Sequence, residues 1–155
     1  MTASPPTAAE VVDPRGPRFA ATITSVVLAA ALALGPGWGL PLLILQALVF
    51  AIGALLGVGY QPYGWLFRVL IRPRLAPPSQ LEDARPPRFA QGVGLGFALV
   101  GLGGGVFGLL AVFYVAVGFA LVAALLNAVF DYCLGCELYL LGKRLFAKTV
   151  PAEGA

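Results

Sequence analysis

The chain has 155 residues, of which 59% are hydrophobic and 11% are charged, and its mean hydropathy is +0.90. Soluble domains usually carry about 25% charged residues, so this composition excludes an ordinary soluble domain and indicates a single membrane-embedded one. The net charge is only +3, and the position of the charges is therefore more informative than their sum.

Two long segments carry no charged side chain, residues 19–67 and residues 89–130. One helical crossing of a bilayer needs about 20 residues, so each segment is long enough for two crossings and a tight turn. Glycine and proline predict the turns, at residues 35–39 in the first segment and at residues 103–105 in the second. The sequence therefore predicts an all-α integral membrane fold with four transmembrane helices, at about 18–35, 40–59, 88–103 and 106–131.

All 10 Lys and Arg residues lie outside these two segments, and the predicted turns carry none. Basic residues accumulate on the cytoplasmic side of membrane proteins. Both termini and the connection between the two helical hairpins are therefore predicted to be cytoplasmic. Trp38 would then lie at the outer membrane interface and Trp65 at the inner one.

A motif of eight residues occurs twice. Residues 13–20 read DPRGPRFA and residues 83–90 read DARPPRFA, so six of eight positions match at an offset of 70. Each copy leads into two helices and a short amphipathic stretch, and a unit with two crossings begins and ends on one side of the membrane. The copies are therefore predicted to be parallel repeats, related by a pseudo-two-fold axis along the membrane normal. The amphipathic stretches, at 65–72 and 138–148, are predicted to be interfacial helices.

The repeat also predicts the domain organisation. A disordered cytoplasmic tail, a first hairpin repeat, a cytoplasmic linker, a second hairpin repeat with the cysteines, and a second disordered tail follow one another. These five parts are residues 1–14, 15–75, 76–84, 85–148 and 149–155.

Four arginines are predicted to anchor the chain to lipid. Arg18 and Arg88 occupy equivalent positions in the repeated motif, where their long side chains can reach lipid phosphates. Arg68 and Arg72 are four residues apart and share one face of the first amphipathic stretch. A less favoured alternative makes Arg18 and Arg88 a paired anion site on the two-fold axis.

Three pairs of glycines have the Gly-x-x-x-Gly spacing, namely Gly53 and Gly57, Gly92 and Gly96, and Gly104 and Gly108. Small residues at this spacing let helix backbones approach closely, and we expect close packing within the bundle. The same faces are candidates for a homo-oligomer. Gln46 and Gln91 are lone polar residues without an evident partner, and we expect them to be packing contacts.

Cys133 and Cys136 are the only cysteines and form a Cys-x-x-Cys motif. The first repeat has no cysteine, which favours a chemical role over packing in a symmetric bundle. On a helix this spacing places both sulfurs on one face, close enough to bond. On the cytoplasmic side a permanent disulfide is not expected, and a cycling dithiol is favoured, in which Cys133 attacks and Cys136 resolves.

Three alternatives for the cysteines remain open, namely packing, palmitoylation, and a soft metal whose other ligands come from carboxylates or a second subunit. If a helix restarts near Gly135, its N-terminus would favour the thiolate, whereas Asp131 and Glu137 would oppose it. The sequence does not decide between these two influences.

Polar side chains near the cysteines are candidate auxiliary residues. Asn127 and Asp131 are four residues apart and share one face of the last predicted transmembrane helix, and Tyr139 follows the cysteines. Together they could transfer protons for Cys133. Structural hydrogen bonding between helices is the favoured interpretation of Asn127, and simple solvation that of Asp131.

The repeated D-x-R-x-P-R-F-A motif, Pro62-Tyr63-Gly64 and the Cys-x-Gly-Cys-x-x-Tyr of residues 133–139 together resemble a bacterial membrane family, the one catalogued as domain of unknown function 4395. The resemblance covers about residues 12–146, and the cysteine motif is its most specific part. It implies an integral membrane protein of four helices and no particular activity. It also implies an association with thioredoxin-like or sulfurtransferase proteins, which would favour thiol chemistry.

The leading hypothesis is a thiol-redox or sulfur-handling protein of the bacterial inner membrane, embedded in lipid, with a cytosolic thioredoxin-like protein or a quinone as electron partner. A structural or interaction subunit without catalysis is the main alternative. An oligomeric transporter of a small sulfur species is the third. The sequence has no nucleotide, haem or nucleic-acid signature, and no metal site of its own is predicted.

Overall fold

The computed structural model describes residues 10–149, with the side chains of residues 148 and 149 left out, and the predicted tails at 1–9 and 150–155 lie outside the described residues. The all-α prediction is confirmed. The elements are β1 (Val11–Val12), α1 (Arg15–Leu55), α2 (Pro62–Leu66), β2 (Glu82–Asp83), α3 (Arg85–Val106), α4 (Leu110–Phe130) and α5 (Leu134–Thr149). A π-helical turn, Phe67–Ile71, and a 3₁₀ turn, Arg72–Arg74, extend α2.

Three of these helices, α1, α3 and α4, are long and apolar enough to cross a membrane. The prediction of a membrane protein is thereby supported, because helices of this length and hydropathy satisfy their backbone polar groups internally in lipid.

Helix α1 is broken at Gly35. Its 41 residues would extend for about 60 Å as a straight helix, twice the thickness of a hydrocarbon core. Gly35 has φ 67° and ψ −176°, a conformation that only glycine adopts readily. Beyond the break the chain folds back alongside the first half of α1. The hydrogen bond that Gln46 Nε2 donates to Thr24 Oγ1, at 3.2 Å, shows this. The break coincides with the first residue of the predicted turn at 35–39, while residues 36–39 are helical.

The second predicted turn, at residues 103–105, is wrong by a few residues. Helix α3 continues through these glycines to Val106, and the reversal occurs at Gly108, which has φ 73°. Gly104 and Gly105 pack against neighbouring residues instead of breaking the helix, whereas Gly103 faces open space. A Cβ atom built on Gly104 would lie 2.6 Å from the backbone nitrogen of Phe113, so the missing side chain is what lets α3 cross α4.

Close packing by the three Gly-x-x-x-Gly pairs is largely contradicted. A side chain at Gly92, Gly96 or Gly108 would meet no atom within 4 Å. Of the paired glycines, Gly53 and Gly104 do contact other helices, and Gly94 and Gly101, which lie outside the three pairs, make similar contacts. The reason is geometric, since spacing identifies a helix face and not the direction in which that face points.

The core lies where α1, α3 and α4 meet. Its completely buried apolar side chains are Leu28, Leu43, Ala98, Phe113 and Val117. Both halves of α1 contribute, which requires the reversal at Gly35.

Contacts between the two repeats recur in matched pairs. In the antiparallel pairing of β1 with β2, Val12 faces Glu82, its own equivalent at the offset of 70. An antiparallel pair in which a residue faces its own equivalent is what a two-fold axis generates. Residues 10–14, assigned to the predicted tail, thus include a strand.

Arg18 and Arg88 each bind the opposite repeat. The Arg18 guanidinium donates to the carbonyl oxygens of Ala128 (3.0 Å) and Val129 (3.3 Å), at the end of α4. The Arg88 guanidinium donates to those of Ala54 (2.7 Å) and Leu55 (2.6 Å), at the end of α1. Each arginine therefore satisfies carbonyl groups that a helix end leaves open, and its charge opposes the negative end of the helix dipole. The sequence alone indicated lipid anchoring, which stays a prediction.

Arg88→Ala should lower the free energy of unfolding by about 1 kcal/mol, because two charge-assisted hydrogen bonds at a helix C-terminus are lost. Arg88→Lys should recover only part of this, since an ammonium lacks the planar fork. Thermal unfolding in detergent micelles checks both variants. The control is Arg144→Ala, an exposed position on α5. Equal midpoints for Arg88→Ala and Arg144→Ala would refute the capping role.

The repeated motif begins with matched ion pairs. Arg15 binds Asp13 at 2.9 Å and Arg85 binds Asp83 at 2.7 Å, and each aspartate also accepts the backbone N–H of its arginine. The side-chain hydrogen bond from the arginine lowers the pKa of each aspartate below its usual value.

The stability contributed by Asp13 should therefore depend on pH. A carboxyl group whose pKa is lower in the folded state stabilises the fold fully above its unfolded pKa of about 3.9, and this contribution is lost as the pH falls through the folded pKa. The unfolding midpoints of the wild type and of Asp13→Asn should differ at pH 7 and converge once the pH falls below the lowered pKa of Asp13 in the folded protein. A difference that is constant with pH would contradict the ion pair.

Candidate redox site

The cysteine motif lies at a helix junction. Helix α4 ends at Phe130, and the next residue, Asp131, adopts a left-handed conformation with φ 55°. The backbone N–H of Asp131 donates to the carbonyl oxygen of Leu126. Helix α5 begins at Leu134, so the chain does restart a helix next to Gly135. Cys133 therefore precedes the first turn of a helix, in the position of an N-cap residue.

The two cysteines are joined in a disulfide, with their Cα atoms 5.2 Å apart. The bonding proximity predicted from their spacing is confirmed. Both side chains are half-buried, and the Cys136 backbone N–H donates to Cys133 Sγ at 3.2 Å. This hydrogen bond and the positive end of the helix dipole both act on Cys133, and they favour negative charge on its sulfur. Across residues 10–149 no group of three or more His, Cys, Asp or Glu side chains could hold a metal ion.

Cys133 lines a cavity of about 280 Å³ between α1, α3, α4 and α5. Much of its surface comes from apolar side chains of the membrane-spanning helices, including Phe50, Phe97, Phe119 and Ala120. Phe97 and Phe119 stack with ring centroids 6.2 Å apart. Cys133 is thus in contact with a mainly apolar space between the helices.

Of the three candidate auxiliary residues, only Asn127 shares the cavity with Cys133. Within the described chain the Asn127 side chain makes no hydrogen bond, so its amide is available to a ligand. Asp131 is exposed at the end of α4. Tyr139 packs against Phe89, with ring centroids 5.7 Å apart, and borders a different cavity.

The two glutamines have partners that the sequence analysis missed. Gln46 is fully buried and bonds to Thr24, as described above, and it accepts a hydrogen bond from the Tyr63 hydroxyl at 3.1 Å. Gln61 Nε2 donates to Gln91 Oε1 at 2.9 Å. Burial raises the pKa of Tyr63, which keeps its hydroxyl in the donating form. One signal was available, since Thr24 and Gln46 are equidistant from the turn at Gly35 and a hairpin brings such residues together.

Fold and site together define a small helical membrane protein with a cysteine pair at a helix N-terminus and an apolar cavity beside it. The chain belongs to the family described as domain of unknown function DUF4395, whose model matches residues 12–144. This confirms the resemblance noted in the sequence. No curated protein and no solved structure matches the chain.

Proposed function

We propose that the chain crosses a bacterial inner membrane four times, with both termini and the cysteine pair on the cytoplasmic side. The two halves of α1 would be the first and second crossings, α3 and α4 the third and fourth. The reversal at Gly35 and the hydrogen bond between Thr24 and Gln46 support a first hairpin. Trp38, 80% exposed near that reversal, suits the outer interface. The half-exposed segments α2 and α5 suit the inner interface.

We further propose that the protein is a membrane thiol–disulfide oxidoreductase. The observation that carries this proposal is the bonded pair at the start of α5, where the N–H of Cys136 reaches Cys133 Sγ. Stabilised thiolates at helix N-termini are typical of reactive cysteines, whereas buried packing cysteines lack such donors.

The proposed cycle uses the two sulfurs differently. In the reduced pair the Cys133 thiolate attacks an electron acceptor. The Cys136 thiolate then attacks Cys133 Sγ, which forms the disulfide and releases the reduced acceptor. A thiolate of a soluble partner, such as a thioredoxin-like protein or a sulfurtransferase, attacks Cys136 Sγ, and Cys133 leaves as the stabilised thiolate. A second partner thiol then releases Cys136, so two electrons pass from the partner to the acceptor.

Acid trapping and labelling test this proposal. Intact cells are quenched in acid, and cysteines are labelled with a maleimide before and after reduction. Sealed vesicles of both orientations are labelled with a membrane-impermeant maleimide. We expect a pair that is partly oxidised in cells and reacts only from the cytoplasmic side. A pair that is always reduced and unreactive from either side would contradict a redox role.

A structural subunit is the second candidate, and one observation favours it. Gly92 and Gly96 are exposed on α3 with no atom of the described chain near their missing side chains. Such a face can hold a helix of a second copy closely. Gly96→Leu should then shift the protein from oligomer to monomer in sedimentation experiments. An unchanged mass would remove the support for this candidate.

A further inference from the structure

We propose that the cavity beside Cys133 binds the ring of a lipid-soluble quinone, which is the electron acceptor of the cysteine pair. The inference rests on the proposed redox function and adds the acceptor and its binding site.

The matched contacts between repeats fix which residues are equivalent. Arg88 binds Ala54 in the way that Arg18 binds Ala128, so the second half of α1 aligns with α4. Phe89 packs on Tyr139 in the way that Phe19 packs on Phe67, at 5.7 and 5.8 Å between ring centroids, so α5 aligns with α2 and its extension.

In these registers three residues of the first repeat have small equivalents in the second. Gln46 aligns with Ala120 and Tyr63 with Gly135. Thr24, at the sequence offset of 70, aligns with Gly94.

The first repeat has polar side chains at the equivalent positions, and one of them, Thr24, also lines the cavity. There Thr24, Gln46 and Tyr63 form a continuous chain of hydrogen bonds, and Gln46 is completely buried. In the second repeat Gly94, Ala120 and Gly135 all line the cavity. The ring of Phe50 covers Gly94 and the side chain of Ala90 covers Gly135, so the glycines let these groups approach. The hydrogen-bonded chain of the first repeat therefore has no counterpart at the place where the cysteines occur. A cavity lined mainly by apolar side chains with a few polar groups, next to a reactive cysteine, is the usual setting of a small-molecule site.

The cavity has the chemistry of a quinone site. Its volume of 280 Å³ is nearly twice the roughly 150 Å³ that admits benzene in an engineered apolar cavity, so it has room for one ring or two fused rings. The aromatic side chains Phe50, Phe97 and Phe119 provide surfaces on which a planar ring can stack.

The cavity also has a polar group and an opening. The free Asn127 amide can donate to a carbonyl oxygen of the ring. Phe119 and Leu138 line the cavity and are 61% and 53% exposed, so it opens on the outer surface of the bundle, where an isoprenoid tail can extend into lipid. Among the described residues the lining holds no charged side chain, and Thr24 and Gln91 are its other polar residues, so a charged, water-soluble acceptor would find no ion-pair partner there.

The reaction balances in electrons and protons. The Cys133 thiolate adds to the quinone ring and forms a carbon–sulfur bond. The Cys136 thiolate attacks Cys133 Sγ, the carbon–sulfur bond breaks, and its electron pair remains on the ring. With the two protons from the original thiols, the products are one disulfide and one hydroquinone. Cys136 does not line the cavity, which leaves it for the soluble partner.

The test uses the full chain in lipid nanodiscs, with the cysteines reduced beforehand and decylubiquinone as the probe. Thiol loss and hydroquinone absorbance are followed together. We expect one hydroquinone for each disulfide formed. Ala120→Phe, which fills the cavity, should slow this oxidation at least ~10-fold. The matched control is Val122→Phe, two residues away and 53% exposed, which should react as the wild type does.

A second measurement does not depend on turnover. In Cys136→Ser the Cys133–quinone bond cannot be resolved, so mass spectrometry should find the quinone on the peptide containing Cys133. Adding Ala120→Phe should abolish this adduct, while labelling by a small water-soluble maleimide persists.

Glutathione disulfide serves as an oxidant that needs no cavity, and it separates the two proposals. Two results would overturn the quinone site and leave the redox function standing. In the first, glutathione disulfide oxidises the wild-type protein and decylubiquinone does not. In the second, decylubiquinone oxidises the Ala120→Phe variant at the wild-type rate. A pair that neither oxidant converts to a disulfide would overturn both.

Discussion

Replacing either cysteine with serine should reduce the oxidation of a soluble dithiol to the rate measured without protein. Each sulfur has a separate step in the proposed cycle, so the loss of either one stops turnover. Because the two act as a unit, the double variant should be no slower than either single one. Oxidation of reduced thioredoxin by nanodisc-embedded protein, with decylubiquinone present, measures the effect.

The two variants should differ in what they accumulate. Cys136→Ser retains the attacking Cys133 and should collect covalent adducts through it, whereas Cys133→Ser should collect none through the cavity. Gly142→Ser is the matched control, since it introduces the same side chain on α5 at a position with open space around it, and it should be fully active. Undiminished oxidation of the soluble dithiol in both single cysteine variants would contradict the redox proposal.

The helices and the cysteine geometry could be predicted from the sequence because they depend on local properties. Absence of charge over residues 19–67 and 89–130 marked the apolar helices. The cluster of glycine and proline near Gly35 marked the break in α1. The break lies at Gly35 because this residue has a positive φ, which glycine adopts readily. The Cys-x-x-Cys spacing predicted bonding proximity, since residues three apart on a helix share a face.

Features that depend on how helix faces meet could not be predicted. Gly92 and Gly94 look alike in sequence, yet Gly92 faces open space and Gly94 lies against the Phe50 ring. The arginines at the helix starts are attributable to lipid on sequence grounds, and only the arrangement of the repeats shows that Arg18 and Arg88 bind the helix ends of the opposite copy. Gln46 appeared to lack a partner because Thr24 and Tyr63, to which it bonds, are distant from it in the sequence.

The residues of the cavity could be matched to the first repeat only by combining the sequence with the contacts between helices. The sequence offset of 70 aligns the repeated motifs correctly, but at that offset Cys133 aligns with Tyr63. The contacts place Tyr63 opposite Gly135 instead, because the second repeat is longer between its two long helices and shorter in the connection that precedes α5. At the offset of 70 Gln46 would align with Ala116, which does not line the cavity, whereas in the corrected register it aligns with Ala120, which does.

The two repeats therefore differ at one place for a physical reason. In the first repeat, buried hydrogen bonds join both halves of α1 to α2 and fix them, since breaking a buried polar network leaves unpaired groups. In the second repeat this hydrogen-bonded network has no counterpart, and the residue equivalent to Gln61 is Cys133. A duplicated hairpin can thus keep one copy rigid while the other gains a site.

Gly104→Leu should prevent assembly of the bundle, with a loss of more than ~3 kcal/mol. A Cβ atom at this position would lie 2.6 Å from the backbone nitrogen of Phe113, and a backbone atom cannot move aside without separating α3 from α4. Phe113 is fully buried in the core, so the separation would expose the core as well. Gly103→Leu is the matched control, because the adjacent residue has no atom within 4 Å of the added carbon. Resistance to proteolysis in membranes and the unfolding midpoint in detergent measure both variants. If Gly104→Leu were as stable as Gly103→Leu, the close crossing of α3 and α4 at this residue would be refuted, and with it the explanation for a helix that continues through three consecutive glycines.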